Sequence, residues 1–241
     1  MFKIIEFDEL ESTNKFALEN ISKYESGTII RAHRQLSGRG RFERKWISDN
    51  KNNCYITIIL KPDIKYQKSF QNITQYLSIV LCQELLRHGI NASIKWPNDV
   101  LVNGKKIAGI LSETSFSGDK FNGLVVGLGV NLNSDQKEMS EIDIPATSMK
   151  IELGQNIDSK LFVEHLAKRF FSEYDTLLRK GFGYFRAQYI SMTDFIGKKI
   201  TIKNPELQEL GIAVNVCVDG ALELFTNEGE IKKIISGDVI L

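Results

Sequence analysis

The chain has 241 residues, which at about 150 residues per domain is one large domain or one domain with a small satellite, and this is long enough to bury a core without disulfide or metal staples. Its 31 Lys and Arg nearly balance 30 Asp and Glu, leaving a net charge of +1, so there is no bulk positive field to drive indiscriminate binding to nucleic acid or membrane. Hydrophobic residues at 42% with only 4 Pro exclude a disordered or collagen-like chain.

Residues 2–7 alternate weakly and predict a short strand; Ser12 or Thr13 then caps a helix over 14–21, because a hydroxyl satisfies amides left free at a helix start. Residues 28–32 are β-rich. From 33 to 53 the pattern vanishes into a polar stretch carrying Arg34, Arg39, Arg41, Arg44, Gly38 and Gly40, too long for a simple turn and of the kind that is usually functional or disordered. A β-branched strand over 55–61 precedes a helix over 69–87, whose apolar residues Ile73, Tyr76, Leu77, Val80, Leu81 and Leu85 recur at the helical period, with Gly89 as its left-handed cap. Strands are predicted over 92–95, 100–102, 106–113 and 124–132, and Asn103-Gly104 marks a type I′ hairpin turn. Helices follow over 161–178 and 184–192. Beyond about 193 the texture changes to short β runs at 199–203, 211–218, 221–225 and 230–235, punctuated by Asp219-Gly220 and Glu228-Gly229; this spacing suggests a small barrel and a boundary near 193–196.

Cys54, Cys82 and Cys217 lie far apart and are odd in number, fitting neither a disulfide framework nor close-spaced zinc ligands, and a reducing cytosol is the expected compartment. Glu6 and Asp8 interrupt any apolar signal segment, and no run approaches the ~18 residues of a spanning helix. His33, His88 and His165 are isolated, so no histidine-held metal is assigned.

Three constellations carry chemistry. In Gln35-Leu-Ser-Gly38-Arg39-Gly40-Arg41-Phe-Glu-Arg44-Lys45-Trp46, glycines allow close approach of backbone amides to an anion and arginines offer forked donors for carboxylate or phosphate; a phosphate clamp, a solvated basic loop and an RNA-binding arginine run all fit. In Lys95-Trp96-Pro97-Asn98-Asp99 to Lys106-Ile-Ala-Gly109, a two-residue Asn103-Gly104 turn pairs Leu101 with Lys106 and Asp99 with Ala108. That register puts Asp99, Leu101, Lys106 and Ala108 on one face, with acid and base within about 7–8 Å; a surface ion pair is the plainer alternative. In Gly127-Leu-Gly129-Val-Asn131, glycines interrupt a strong strand, which signals either a close ligand or a packing bulge. Ser12-Thr13-Asn14 is explained by a cap alone.

Together and in this order these residues resemble the biotin protein ligase family, in its short form without an N-terminal DNA-binding domain. The similarity spans nearly the whole chain, and the tail with Ser236-Gly237-Asp238-Val239 is similar to the family's SH3-like domain. One departure stands between Trp46 and the next strand, where the family commonly has a Pro and a Gly and this chain has Ser48-Asp-Asn-Lys-Asn-Asn-Cys54.

The resemblance implies an α+β fold: a catalytic domain over 1–193, with a mixed sheet and helices on one side, then a small SH3-like barrel over 194–241. It implies activation of biotin by ATP to biotinyl-5'-AMP, with Mg²⁺ neutralising the leaving pyrophosphate, and transfer of biotin to a lysine of a biotin carboxyl carrier protein belonging to an acyl-CoA carboxylase. Ser12, Thr13 and Gln35 are expected on the ureido ring, with Asn14, Gly38, Gly40 and Gly109 completing the biotin site and an apolar floor near Ala108 and Gly109. Lys106 stands where carboxylate and α-phosphate meet; Arg39 and Arg41 hold their oxygens; Trp46 covers the ligand; Asn131 and Asp99 line the nucleotide side. Asp99 is either a base for the incoming lysine or an organiser of Mg²⁺. A cytoplasmic enzyme is expected, without specific DNA or membrane binding, and a homodimer is compatible with the resemblance. Lipoate ligases, which share the chemistry, are the near alternative; an RNA-binding module is the distant one, disfavoured by the net charge and by the lack of stacking aromatics on the tail.

Overall fold

The computed structural model describes residues 2–206 and 208–240. Strand β1 (Lys3–Leu10) leads to helix α1 (Thr13–Glu19), capped by the Ser12 hydroxyl, which accepts the Lys15 amide at 3.5 Å. Strands β2 (Thr28–Gln35) and β3 (Cys54–Leu60) follow. The helix expected over 69–87 is divided into α2 (Gln67–Phe70) and α3 (Ile73–Arg87), because Asn72 between them turns its amide to the distant Asp219 carbonyl, 2.8 Å away. Gly89, at φ +82°, turns the chain out of α3 as expected. Next come β4 (Ser93–Lys95), β5 (Asp99–Val102), β6 (Lys105–Ser117) and β7 (Lys120–Val130). Between β5 and β6, Asn103 and Gly104 at φ +50° and +76° make the type I′ turn.

Two short helices, α4 (Gln136–Ser140) and α5 (Met149–Leu153), occupy a stretch in which the apolar periodicity is too brief to read; each is fixed by a side-chain cap, from Asp135 and Ser148 respectively. Helix α6 (Ser159–Lys180) begins at Asp158, which accepts the amides of Lys160 and Leu161, and ends at Gly181. Helix α7 (Arg186–Ser191) is shorter than expected because Phe182–Tyr184 form a separate tight turn.

The first seven strands make one mixed sheet in the order β1-β2-β3-β7-β6-β5-β4, with β1 and β2 parallel across α1 and every other neighbouring pair antiparallel. Strand β3 is buried along its whole length. Helices α3 and α6 cover one face, over Ile29, Ile58, Val126 and Leu128, where each enclosed side chain contributes about 1.5–3 kcal/mol. On the other face lies α1, with its Ala17 and the following Ile21 against Ile30, Ile59 and Val125. The long helices therefore take one side, as expected, and the part of the second face beyond α1 is left for the site.

Strands β8 (Lys199–Lys203), β9 (Gln208–Val216), β10 (Leu222–Thr226), β11 (Ile231–Ile234) and β12 (Asp238–Ile240) form a separate antiparallel sheet in the order β11-β10-β9-β8-β12. This matches the SH3-like tail, although among the described residues no pairing of β11 with β12 closes it into a barrel. The Asp219-Gly220 turn does more than punctuate. The Gly220 carbonyl accepts Trp96 Nε1 at 2.9 Å and Gln75 Nε2 at 2.7 Å, so the turn is plugged into the first unit. A Cβ on Gly220 would stand 2.2 Å from Asn72 Nδ2 and from Gln75 Oε1, at φ +83°. Neither amide can retreat without losing its own buried hydrogen bond. Gly220→Ala is expected to cost about 2 kcal/mol, a fall in Tm of roughly 4–8 °C for a chain of this length, read by calorimetry; an unchanged melt removes the plug from the account of stability.

Among the described residues no helix is long and apolar enough to cross a membrane. Cys54 and Cys82 are buried, which pushes both thiols up to about 12 and leaves them protonated and unreactive.

Candidate active site

A cavity of about 660 Å³ opens on the second face of the main sheet, with Gly109, Leu111, Gly127 and Gly129 among its lining. Gly109 and Gly129 face each other across β6 and β7, as do Leu111 and Gly127. The alternation of the strands sends Ala108, Ile110, Leu128 and Val130 into the core beneath and leaves glycine toward the cavity. The glycines are needed for space: a Cβ on Gly129 would be 2.5 Å from the Trp46 indole, and one on Gly127 2.1 Å from Asn14 Oδ1. Of the two readings offered for these glycines, a close ligand or a packing bulge, the structure shows neither as stated: the room is taken by the chain's own Trp46 and Asn14 side chains.

The hairpin register differs from the expected one. Leu101 does pair with Lys106, but a bulge inserts Ile107, so that Asp99 lies opposite Gly109 and Ala108 opposite Val100. The cause is a change of partners in β6. Lys106 N–H donates to Pro145 O at 2.8 Å, its carbonyl accepts Thr147 N–H at 3.0 Å, and the Ile107 carbonyl accepts Asn131 N–H at 2.9 Å. Bulges commonly re-aim a side chain at a site. Here the parity flip buries Ala108 in the core, correcting its assignment to the ligand floor, while Gly109, also expected there, does line the cavity. Lys106 still meets Asp99, Nζ to Oδ1 at 2.7 Å, with Lys95 Nζ 3.7 Å from Oδ2.

The closed end of the cavity is a polar network on α1, β2 and β3. Gln35 Oε1 accepts Thr13 N–H at 2.8 Å and the Thr13 hydroxyl at 3.0 Å, while Gln35 Nε2 donates to Ser48 Oγ at 2.9 Å. The Thr57 hydroxyl lies 2.8 Å from Thr13 Oγ1 and 2.7 Å from Asn14 Oδ1. Asn14 Nδ2 donates to Leu111 O and to Glu113 Oε2. Thr57 and Glu113 were not singled out in the sequence, yet signals existed: Thr57 is a lone hydroxyl in an apolar strand, and Glu113 follows Gly109 and Leu111 at period two.

The arginine segment, read as patternless, is a narrow hairpin closed by Trp46 N–H to Gly38 O at 2.8 Å and Gly40 N–H to Arg44 O at 2.7 Å, with Phe42 and Glu43 at its tip. Gly38 does not line the cavity. It lies between the arms, where a Cβ would meet Trp46 O at 2.4 Å, so it permits the hairpin to close rather than touching a ligand. Arg39 reaches Glu113 at 3.2 Å and stays half exposed. Arg41 turns to Asp238 in β12, 2.9 Å away. Burial pulls the Arg41 guanidinium below its ordinary value, against the raising influence of Asp238 and Asp99. The Trp46 indole lies on the glycine floor, with Lys106 Nζ 5.4 Å from its ring centre.

Of the remaining expected residues, Ser12, Thr13, Asn14, Gln35, Gly40, Asp99 and Asn131 all line the cavity. Asn131 ties the far wall in place by donating to Thr147 O at 3.0 Å. From the Lys95 to Asp99 motif, Lys95, Asn98 and Asp99 reach the cavity, whereas Trp96 is buried against Gly220 and Asn98 also bonds Ile110 O. The departure after Trp46 is a lattice of asparagines: Asn53 Oδ1 accepts the amides of Leu132 and Asn133, and Asn50 donates to Glu138.

The arrangement offers a cavity with a hydrogen-bonding end, an apolar glycine floor and a cationic end at Lys106, Lys95, Arg39 and Arg41. That suits a ligand with a polar ring, an apolar chain and a negative head. The Biotin/lipoate A/B protein ligase family model matches residues 5–131. The chain is similar to the Bifunctional ligase/repressor BirA of Bacillus subtilis, at 34% identity over 99% of this chain and 74% of that protein. It is also similar to the Biotin--[acetyl-CoA-carboxylase] ligase of Paracoccus denitrificans, at 32% identity over 89% of this chain and 90% of that one. Among solved structures, biotin protein ligase from Aquifex aeolicus in complex with biotin and ATP superposes with a TM-score of 0.84 at 28% identity, covering 100% of this chain and 98% of that one. The matched family model, the full-length similarity and the shared fold together show that the chain belongs to the biotin/lipoate A/B protein ligase family, as a biotin protein ligase.

Proposed function

We propose that this cavity joins biotin to ATP, forming biotinyl-5'-AMP and pyrophosphate, and that the chain then transfers the biotinyl group to the ε-amino group of a lysine on the biotin carboxyl carrier domain of an acetyl-CoA carboxylase, with release of AMP. The catalytic unit is residues 1–193 and the SH3-like unit 194–241; the enzyme works in the cytoplasm, without specific DNA binding. The observation that carries the reading is Lys106, held by Asp99 at 2.7 Å on the glycine floor between the hydrogen-bonding end and the arginine hairpin.

In the first step a biotin carboxylate oxygen attacks the α-phosphorus of ATP, and the bond from that phosphorus to the bridging oxygen of the leaving pyrophosphate breaks. Two anions must meet, so cations aimed at the meeting point lower the barrier. Lys106 occupies that position, fixed by Asp99 rather than free to swing, and Arg39 and Arg41 flank it. In the second step the lysine amine attacks the mixed anhydride and loses a proton; Asp99 is the carboxylate nearest Lys106 and takes it. Among the described residues no group of three or more His, Cys, Asp or Glu could hold a metal alone. This donor set fits Mg²⁺ arriving on nucleotide phosphates, where it would neutralise charge on the pyrophosphate; the alternative to the base role is that Asp99 would be its protein contact.

The polar end separates biotin from lipoate. Thr13, Asn14 and Gln35 line a polar end that matches a ureido ring, which donates and accepts hydrogen bonds, better than an apolar dithiolane. ATP–pyrophosphate exchange with biotin, with lipoate and with neither acid tests substrate and reaction together: exchange is expected with biotin only, and exchange with lipoate alone overturns the reading. Arg39→Ala or Arg41→Ala is expected to let the adenylate escape while sparing the fold, since both lie on a hairpin outside the core. Loss of most of the bound biotinyl-5'-AMP on gel filtration is the expected result; full retention removes that arginine from the clamp.

A further inference from the structure

Two arginines of the hairpin converge on one carboxylate from the other end of the chain. Asp238, at the start of β12, has a largely enclosed side chain; Arg41 Nη1 lies 2.9 Å from its Oδ1 and Arg44 Nη2 2.5 Å from its Oδ2. Arg41 is held further by Gly237 O at 3.0 Å, Asn98 Oδ1 at 3.3 Å and Ser236 Oγ at 3.4 Å. Between the two arginines, Phe42 and Glu43 sit at φ +53° and +59°, in the left-handed region that side chains with a Cβ seldom adopt. Such conformations persist where surrounding contacts over-determine them. The contacts here are the shared carboxylate and the Phe42 ring, which has the Arg41 and Arg44 guanidinium carbons 4.8 and 5.7 Å from its centre.

The charge count gives the arrangement its direction. Two guanidiniums on one carboxylate leave a net positive charge, and Asp238, Arg41 and Arg44 all line the cavity. We infer that Asp238 is a positioning residue for adenylation: from the SH3-like unit it holds Arg41 and Arg44 as a preset cationic pair at the nucleotide end of the cavity. This rests on the reading of the cavity as a biotin and ATP site. It makes the second unit part of the catalytic apparatus, although Asp238 itself touches no reacting atom. Removing its charge leaves the hairpin tip without its anchor, and ATP must then order both arginines as it binds. The biotin end is held separately by Thr13, Gln35 and Thr57, with no contact to Asp238.

Asp238→Asn keeps the volume and part of the hydrogen-bonding capacity, and Asp238→Glu keeps the charge. In pyrophosphate exchange Asp238→Asn is expected to raise KM for ATP by at least about tenfold, the scale of effect seen when a clamp is displaced, with biotin Kd unchanged within twofold. Asp238→Glu is expected to recover most of the loss. Because the effect passes through the arginines, Asp238→Asn in an Arg41→Ala, Arg44→Ala background is expected to add less than twofold. In the full chain without ligands, hydrogen exchange of amides 39–46 is expected to speed up in Asp238→Asn and not in Asp238→Glu. An unchanged KM for ATP, a full effect in the double-arginine background, an equal loss of biotin affinity, or unaltered exchange of those amides overturns the inference. Were the unaltered chain to show no biotin-dependent exchange of pyrophosphate, the functional reading would fall, while amide exchange would still decide whether Asp238 anchors the hairpin.

Discussion

Lys106→Ala is expected to slow biotin-dependent ATP–pyrophosphate exchange by about 10²–10³-fold, the usual consequence of removing one preorganised electrostatic stabiliser. The structure argues for the upper part of that range. Lys106 is held against Asp99 at 2.7 Å and its backbone is pinned on both sides by Pro145 and Thr147, so its ammonium is aimed before any ligand arrives. Removing it also leaves Asp99 facing the incoming phosphates with one cation fewer, Lys95 Nζ 3.7 Å away and the nearby Arg41 remaining to offset its charge. A second carboxylate-only variant separates the two contributions. Asp99→Asn keeps the shape and leaves Lys106 unanchored, so it should slow exchange less than Lys106→Ala while slowing transfer from preformed biotinyl-5'-AMP to the carrier more than exchange. Single-turnover assays of each half-reaction provide the measurement. An unchanged rate in Lys106→Ala would remove the central group of the mechanism, and a reversed order for Asp99→Asn would make Asp99 an organiser of the nucleotide and its metal rather than a base.

Gly127→Ala is the second large effect, and it arises from a single methyl group. Its Cβ would lie 2.1 Å from Asn14 Oδ1 and 2.8 Å from Asn14 Cγ. The Asn14 side chain cannot step aside cheaply, because it donates to Leu111 O and Glu113 and receives the Thr57 hydroxyl. Relief must come from moving α1, and with it Thr13 and its bonds to Gln35. A displacement of about 1 Å in a positioning group can cost on the order of 100-fold, and biotin affinity is expected to fall by at least tenfold. Titration calorimetry with biotin measures it, with a melting curve as control for the fold. Retained affinity would show that the hydrogen-bonding end of the cavity tolerates movement and does not set biotin recognition.

Much of this site was open to reading because its parts are local. The Asn103-Gly104 turn needs positive φ at two adjacent residues, and that local demand pairs Leu101 with Lys106 and so brings Lys106 near Asp99. The glycines at 127 and 129 signal close approach for the same reason: a strand gives up a side chain only where something needs the room. The order of helices and strands follows from periodicity, which is a property of neighbours in sequence. The ordered motifs also carried the family resemblance, since each is a short run whose chemistry is legible on its own.

What the sequence could not reveal depends on partners far along the chain. The bulge at Ile107, which buries Ala108 and turns Gly109 to the cavity, exists because β6 exchanges hydrogen bonds with residues 131, 145 and 147. The break before α3 exists because Asn72 finds the carbonyl of Asp219. Thr57 and Glu113 reach the lining residues Thr13, Asn14 and Arg39 through sheet register, and the arginines of the hairpin meet Asp238, almost two hundred residues away. In each case the local chain has several conformations of similar energy, and a hydrogen bond or ion pair formed only in the folded core selects among them. Sequence by itself therefore determined most of the longer helices and strands, the turn and the cationic residues; the tertiary structure added α4, α5 and β12, and decided which faces the elements share and what holds them, because those choices are settled by long-range contacts that no local pattern encodes.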